Sequence, residues 1–388
     1  MPNKSKLNRS NSGPLTGFRV IEMAGLGPGP FCAMLLADMG AEVIRVQGKG
    51  TPSGLLLNTP FDVLARGRRS MAIDLKKPGA QDAVLALVAK ADALIEGFRP
   101  GVMERLGLGP DACLARNPKL IYGRMTGWGQ TGPLAQSAGH DINYLALTGV
   151  LHAIGPRDLP TVPLNVVADM GGGGLLLAFG IVCALLEARR SGQGQTVDAA
   201  MTEGASLLAA MVHGFKAGGV MNNQRCDNVI DGGAYYYAVY ECADGKYISV
   251  GAIEPQFHAR LLETLGLDPS AFGPQADRSR WPEGKARLAE VFKTAPRDEW
   301  VRRFDGVDAC VTPVLDWDEA LVHPHNQARG SFVEVAGVPQ AAPAPRFSRT
   351  PAVVSRPTAE VGQNTLDILT DWGVSAAVIS SLSESGAI

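Results

Sequence analysis

The sequence predicts an α/β protein with a doubly wound parallel sheet in a large domain and a second, smaller α+β domain. Short apolar segments alternate with helical patterns through the first 125 residues, and the turns between them are rich in Gly and Pro. Near residue 224 the composition changes, and tyrosines and turn residues become frequent. A chain of 388 residues exceeds the usual size of one domain, which agrees with two.

The alternation begins with a predicted strand at 18–22, a Gly/Pro turn at 25–30 and a helix that runs to residue 39. Further strands are predicted at 41–47, 71–75, 93–96, 119–125 and 195–199. Helical patterns cover 79–90, 101–106, 141–151, 172–190 and 203–217. Strands and helices that alternate at this spacing are typical of a parallel sheet.

Changes in composition set the predicted domain boundaries. Residues 1–13 are basic and rich in Ser and Asn without an apolar core, which is typical of a disordered tail. The large domain is predicted from 14–200 plus 335–388, because a Pro-rich connector at 338–357 leads to a helical ending. A linker helix at 201–225 leads to the small α+β domain at 226–334.

Charge and cysteine content narrow the functional classes. A formal net charge of −2 gives no overall attraction to nucleic acid or an anionic membrane, so neither is a predicted partner. The six cysteines are scattered without zinc spacing, and we expect reduced thiols that pack as small apolar groups and no metal. Segment 170–186 is apolar, but its glycines and the preceding Asp169 favour a buried central helix over a membrane span.

The turn at 25–30 follows the first strand, where a nucleotide-binding fold places its phosphate loop. It does not match G-x-G-x-x-G, because Pro30 replaces the third glycine, and the next strand ends in Val46 and Gln47 without an acidic residue for a ribose hydroxyl. No G-x-x-x-x-G-K-[ST] motif occurs. These patterns argue against NAD, FAD and P-loop nucleotide sites.

Nine cations lie at or near the ends of predicted strands of the large domain. Ligands of doubly wound sheets bind beyond the carboxyl ends of strands, where these cations could contact the phosphates of a nucleotide-like cofactor. The alternative is ordinary solvated surface charge, which spacing alone favours. The nine are Arg45, Lys49, Arg66, Arg68, Arg69, Lys76, Arg99, Arg105 and Arg124.

Four residues are candidates for acid/base or nucleophilic chemistry. His140 precedes a predicted helix at which Asp141 could be the N-cap, and the amides of that helix start could stabilise a developing oxyanion. Asp169 and Glu254 lie in apolar runs. A carboxylate in such a run is either a paired structural group or one whose pKa is raised for proton transfer, and the residues alone leave both readings open.

With these residues the chain resembles the alpha-methylacyl-CoA racemases, within the class III CoA-transferases, over nearly everything after residue 13. The matching blocks are GPGPFCAM at 27–34, PGVMERL at 100–106, MTGWGQ at 125–130, GHDINY at 139–144, VGAIEPQF at 250–257 and DACVTPVL at 308–315.

The resemblance implies roles for individual residues. His140 and Asp169 correspond to the two acid/bases of such racemases, and Glu254 to a residue that orients the histidine from the small domain of a second subunit. Asp141 corresponds to the nucleophile of related CoA-transferases. Substrate contacts are implied for Gly139, Ile142, Asn143 and Tyr144. CoA contacts are implied for Ala72, Ile73, Asp74, Leu75, Lys76, Glu96, Gly97, Phe98, Arg99, Arg105 and Arg124.

The implied activity is interconversion of (2R)- and (2S)-2-methylacyl-CoA thioesters through an enolate, with the acyl group left open. CoA enters as part of the branched acyl-CoA substrate, and no further cofactor is expected. An interlocked homodimer is implied, and the lack of a final Ser-Lys-Leu favours a cytoplasmic setting. A CoA-transferase that uses Asp141 is one alternative, against which His140 and Glu254 argue; a non-catalytic acyl-CoA-binding protein is another.

Two departures from the family pattern bear on the substrate. An acidic-Arg-Pro sequence after the second strand is replaced by Gln47, Gly48 and Lys49, so the cationic contact falls to Lys49, which lacks the bidentate fork of arginine. In the block at 228–235 a methionine of the apolar acyl surface is replaced by Val229. We expect altered CoA orientation and acyl preference.

Overall fold

The computed structural model describes residues 12–50 and 56–388, so most of the predicted tail at 1–13 lies outside the described residues. The chain forms two compact units: Met1–Thr148, Leu164–Leu208 and Ala328–Ile388 make the first, and Gly149–Pro163 with Ala209–Gln327 the second. These differ from the predicted domains in three places, one of which is that residues 328–334, predicted in the small domain, belong to the first unit. Residues 149–163 join the second unit, and the predicted linker helix 201–225 is divided after Leu208.

A six-stranded sheet organises the first unit, and all of its neighbouring strands are parallel. The strand order is β3-β2-β1-β4-β5-β6. The order reverses between β1 and β4, and doubly wound folds bind their ligands beyond the carboxyl ends of strands at such a point. The predicted α/β class with a large parallel sheet is therefore confirmed. The strands are β1 (Arg19–Met23), β2 (Glu42–Gln47), β3 (Arg69–Ala72), β4 (Ala93–Glu96), β5 (Ile121–Thr126) and β6 (Gln195–Ala200).

The bounds of the helices differ from the sequence prediction mainly in two places, one at a glycine and one where the carboxylate of Asp141 contacts the helix start. The predicted helix 141–151 is two helices, separated where Gly149 adopts φ 82°. The predicted helix 172–190 begins earlier, with a π-helical segment at Val166–Leu175. In chain order the α-helices are α1 (Pro28–Asp38), α2 (Ala80–Val88), α3 (Val102–Arg105), α4 (Pro110–Arg116), α5 (Asp141–Ala146), α6 (Val150–Ala153), α7 (Leu176–Ser191), α8 (Met201–Leu208), α9 (Ala210–Ala217), α10 (Pro255–Leu265), α11 (Trp281–Phe292), α12 (Arg297–Arg303), α13 (Trp317–Val322), α14 (Pro324–Arg329), α15 (Thr365–Asp371) and α16 (Ala376–Glu384).

The C-terminal segment returns to the core of the first unit. Ile368, Leu369 and Trp372 are fully buried there, with apolar residues of β1 to β4 and α2 in the same cluster. The indole Nε1 of Trp372 donates to Glu42 at 3.0 Å. Burial of α15 explains why the last part of the chain belongs to the unit formed by its beginning.

The second unit contains a three-stranded antiparallel sheet of β7 (Tyr237–Glu241), β8 (Tyr247–Gly251) and β9 (Val311–Val314). Its tyrosine-rich segment is core: Tyr235 and Tyr240 are buried, and the ring of Tyr240 stacks on Phe292 with centroids 5.2 Å apart. A further antiparallel pair, β10 (Phe332–Val335) and β11 (Val338–Ala341), lies in the first unit. The predicted extended connector therefore starts with a hairpin strand.

One helical stretch among the described residues, Val166–Ser191, is long and apolar enough to cross a membrane, with mean hydropathy 1.9 over its most apolar window. The prediction of a buried central helix is only half right. Leu177 and Ile181 are fully buried and contact Gly123 of β5, whereas Phe179 and Leu186 on α7 are each 66% exposed. The helix buries one face on the sheet and leaves an apolar face uncovered in the single chain.

Candidate active site

A cavity of about 620 Å³ opens at the carboxyl ends of β1 to β4 in the first unit. Five residues with implied CoA contacts line it: Ile73, Asp74, Leu75, Lys76 and Phe98. Most of the lining is apolar, with Met23, Leu26, Val46 and Leu57 among its residues, and Arg45, Lys49 and Lys76 are its cations. Position and lining together suit an elongated ligand with apolar and anionic parts.

Two lysines of this cavity are available for an anionic ligand. The Lys49 ammonium donates to the carbonyl of Gly386 at 2.9 Å, and Lys76 is exposed. Within the part of the chain that the structure describes, neither lysine has a carboxylate partner. A carbonyl is a weaker partner for an ammonium than a phosphate is, so both can bind one at low cost.

Among the nine cations, Arg45, Arg66 and Arg68 are neither solvated surface charges nor free for phosphates. Arg45 pairs with Asp62 at 3.2 Å, Arg66 with Asp38 at 2.6 Å and Arg68 with Glu22 at 2.7 Å. All three arginines are buried. The surface-charge interpretation is wrong for them, because carboxylates that are distant in sequence approach them inside the fold.

The remaining residues with implied CoA contacts lie outside the lining of the cavity. Arg124 donates to Glu96 and to Glu104, at 2.8 Å each, so two carboxylates already occupy its guanidinium. The amide of Ala72 donates to Thr365 at 3.0 Å, and Gly97, Arg99 and Arg105 are exposed. The predicted set therefore contains cavity-lining residues and residues outside the lining, and among the latter the guanidinium of Arg124 is already paired.

Asp141 is not the N-cap of α5, as predicted, but its first residue, and His140 precedes it in extended conformation. The carboxylate of Asp141 instead accepts hydrogen bonds from the amides of Ala168 at 3.0 Å and Asp169 at 2.7 Å. These amides belong to the first turn of the π-helical segment, where the helix itself offers no acceptor. Asp141 therefore fixes the backbone of Asp169 directly.

Asp169 is partly buried, and burial is the main cause that raises its pKa. The charge of Asp141 raises it further. A hydrogen bond from Asn165 to Oδ2, at 3.2 Å, and the charge of His140 act in the opposite direction. The charge effect also indicates that the exposed imidazole of His140 lies within electrostatic range of this carboxyl.

The rest of the block at 139–144 is held together locally. Tyr144 donates its hydroxyl to the carbonyl of Gly139, and its ring meets Trp128 edge-on with centroids 4.8 Å apart. Asn143 accepts from the amide of His140 at 3.1 Å, while Ile142 is 40% exposed. Burial is the main cause that raises the pKa of Tyr144, and the charge of Asp169 adds to it.

Glu254 lies in the second unit, where it is exposed and precedes α10. Its carbonyl accepts from the amides of Phe257 and His258, at 3.0 Å each, which starts the helix. The apolar residues before it come from β8 and the buried Ala252. The residues before Glu254 are apolar because they belong to a strand, and the carboxylate of Glu254 lies outside the core of the second unit.

A family model described as CoA-transferase family III matches residues 15–365. The chain belongs to CoA-transferase family III. It is 48% identical to mouse alpha-methylacyl-CoA racemase over 371 residues, which cover 95% of this chain and 96% of that protein. It is 44% identical to the human protein of that name, with 95% and 96% covered. These similarities over nearly the full length identify an enzyme.

The family also contains transferases and solved structures. Succinyl-CoA--D-citramalate CoA-transferase of Chloroflexus aurantiacus is 32% identical, with 92% of this chain and 94% of that protein covered. A CAIB/BAIF family protein from Brucella suis has a solved structure with TM-score 0.80 and 26% identity, covering 93% of this chain and 100% of that one. The family III fold is thus shared by more than one activity.

Three residues beside Asp169 and Tyr144 were not predicted from the sequence. Asn165 contacts Asp169 four residues along the chain, Gly27 approaches it, and Trp128 packs on Tyr144. A Cβ on Gly27 would lie 3.3 Å from Oδ2 of Asp169. The glycine turn at 25–30 was the available signal, since it places a residue without a side chain against the acid.

Proposed function

We propose that this family III enzyme interconverts (2R)- and (2S)-2-methylacyl-CoA thioesters, with His140 and Asp169 as its two acid/base groups. The observation that carries the proposal is the setting of Asp169: a partly buried carboxyl with a raised pKa, beside the start of α5 and within electrostatic range of His140. A carboxyl in that setting can hold a proton and return it. The similarity to the mouse and human racemases supports the same reaction.

In the proposed reaction one group removes the α proton, and the electrons of the C–H bond move into an enolate. The other group then adds a proton to the opposite face of the α carbon. Charge on the thioester oxygen requires donors placed in advance, and the amides that start α5 are the proposed donors. Glu254 is proposed to orient His140 from the small domain of a second subunit.

CoA is proposed to bind in the cavity at the carboxyl ends of β1 to β4. The phosphates of CoA would contact Lys49 and Lys76, and the apolar lining of the cavity would accept the pantetheine and adenine parts. Among the described residues, no group of three His, Cys, Asp or Glu is placed to hold a metal ion. The proposed chemistry uses side chains and amides of the protein alone.

A homodimer and a cytoplasmic location are part of the same proposal. The uncovered face of α7 and the segment before it includes Leu175, 53% exposed, and Phe179 and Leu186, each 66% exposed. Apolar surface of this kind on a helix marks an interface. A second copy of the chain, and not a membrane or a nucleic acid, is the proposed partner.

CoA transfer through Asp141 is the second candidate function. The observation that favours it is Oδ2 of Asp141, which is buried and has no hydrogen-bond partner among the described residues. A carboxylate oxygen of this kind could attack a thioester and form an anhydride with release of CoA. The relatives that are named transferases support this alternative.

One pair of assays separates the two candidates. The protein is incubated with a single epimer of a 2-methylacyl-CoA in deuterated water, and α-deuterium uptake and epimer ratio are followed by NMR. A parallel reaction offers free carboxylic acids as CoA acceptors. Exchange and epimerisation without transfer would support the racemase. Transfer without exchange would replace it with the transferase.

A further inference from the structure

The side chain of Asp141 contacts the backbone of the π-helical segment that carries Asp169. One of its oxygens accepts from two amides, those of Ala168 and of Asp169 itself. The side chain is deeply buried, and its residue is 7% exposed. Asp141 therefore places a buried carboxylate next to the backbone that carries the proposed acid/base.

We propose that Asp141 is a positioning residue for Asp169, which it serves through two backbone hydrogen bonds and one buried charge, and that it forms no bond to the acyl group. This inference rests on the proposed racemase function. In this role Asp141 does not react with the substrate but controls the position and the pKa of Asp169.

The benefit of a neighbouring charge follows from the proton balance of a two-base racemase. Each direction of the reaction starts from a different location of one proton, either on the imidazole or on the carboxyl. The ordinary pKa of a carboxyl is about 3.9 and that of an imidazole about 6.5, so the proton would occupy the imidazole nearly all of the time. Burial and the charge of Asp141 both favour the protonated carboxyl of Asp169 and reduce this imbalance.

Charged groups on the other elements packed against the segment do not share this effect. Asp141 and His140 are the charged groups that act on Asp169 in the described part of the chain, and Tyr144 on α5 responds to it. The neighbouring elements α1, α7, α8, β5 and β6 contribute no further charge to it. Their titratable groups are Cys32, Asp38, Cys183, Glu187, Arg189, Arg190, Glu203, Tyr122, Arg124 and Asp198.

The isosteric variant Asp141→Asn separates charge from geometry. Its amide oxygen can still accept from both backbone amides, but the negative charge is gone. We expect the acid limb of the pH profile of kcat/KM for racemisation to move to lower pH by about one unit, because the pKa of Asp169 falls. The plateau should keep at least a tenth of the activity. Asp141→Ala, which also loses the hydrogen bonds, should reduce kcat far more.

Glu203→Gln is the matched control, since it removes a carboxylate from α8, which packs on the same segment, and should leave the acid limb in place. A second measurement needs no variant: the unmodified protein is treated with acyl-CoA and hydroxylamine, and peptides with residue 141 are examined by mass spectrometry. We expect no hydroxamate at Asp141.

The outcomes separate this inference from the proposed function. An acid limb that stays in place in a folded Asp141→Asn variant, or a hydroxamate at Asp141, would overturn the positioning role while racemisation by the unmodified protein still stands. Absence of racemisation by the unmodified protein would overturn the proposed function, and the positioning role with it.

Discussion

Among the described residues, Asn165 is the one side chain in hydrogen-bond contact with the carboxyl group of Asp169. Its amide donates to Oδ2 and stabilises the ionised carboxylate, which opposes the effects of burial and of Asp141. The proton affinity of Asp169 is thus a balance between two neighbours of opposite effect. Changing either neighbour should move the acid limb of the rate profile in a defined direction.

Asn165→Ala removes the bond that favours the ionised form. The pKa of Asp169 should rise, and the acid limb of kcat/KM for racemisation should move to higher pH by about half a unit. A pH profile of epimerisation measures it. Val166→Ala, on an exposed neighbour in the same segment, is the control and should leave the limb unchanged. A downward shift in Asn165→Ala would contradict the assignment.

Lys49 tests the CoA site at the same scale. Its ammonium lines the cavity and donates to a carbonyl. Removal of this side chain should therefore lower the stability of the protein little, but a bound phosphate would lose one contact. We expect Lys49→Ala to weaken CoA binding about threefold to tenfold, with smaller loss at high salt, because a partly exposed charge contact contributes about 1 kcal/mol. Calorimetric titration with CoA measures it.

Lys77→Ala is the matched control, because Lys77 is exposed, directly follows the cavity residue Lys76 and lies outside the lining of the cavity. It should bind CoA like the unmodified protein. Equal losses in the two variants would show that general positive charge, and not a contact at Lys49, holds the ligand.

At the scale of elements, the glycine run of the π-helical segment permits close packing of α8. A Cβ on Gly204 of α8 would lie 1.8 Å from the carbonyl oxygen of Gly172, and one on Gly172 would lie 2.5 Å from the amide nitrogen of Ala205. The two backbones can approach this closely only without side chains. The segment that carries Asp169 is therefore fixed from two sides, by Asp141 and by α8.

Gly204→Ala should force these backbones apart. We expect a loss of about 3 kcal/mol and a thermal unfolding midpoint several degrees lower, despite the better helix propensity of alanine. Gly214→Ala on α9 is the control, since its Cβ would contact nothing within 4 Å. That variant should be as stable as the unmodified protein or more so. Equal stability of both variants would refute close packing at Gly204.

How much of these elements could be predicted from the sequence depends on whether the cause is local. Apolar segments that alternate with helical patterns predicted all six sheet strands to within three residues at either end. Other features depend on contacts between distant segments. Asp141 caps a helix that starts 25 residues later, and Arg68 pairs with Glu22. A single sequence carries no signal for such pairs.

At the scale of the whole molecule, the single chain leaves an apolar face on α7 uncovered. This face is the proposed dimer interface. The double variant Phe179→Glu and Leu186→Glu should therefore be a monomer, because two buried charges per chain would oppose association. Sedimentation velocity measures the state. Leu366→Glu on α15 is the control for an exposed leucine, 58% exposed, and should leave the dimer intact. A double variant that remains dimeric would place the interface elsewhere.

The proposed active site is completed by a residue of a second subunit. Glu254 is proposed to act on His140 from the second subunit, so a monomeric variant should lose racemisation while the first unit keeps its CoA cavity. Retained CoA binding with lost activity would agree with a site completed by dimerisation. Full activity in a monomer would contradict it.

The most direct test of the central claim follows each epimer separately in His140→Ala and Asp169→Ala. Two bases on opposite faces predict that both variants lose epimerisation, while each retains α-deuterium uptake from one epimer, and from a different one in each variant. NMR in deuterated water with stereochemically pure 2-methylacyl-CoA gives the answer. Loss of uptake from the same epimer in both variants, or continued epimerisation in either one, would contradict the assignment of His140 and Asp169.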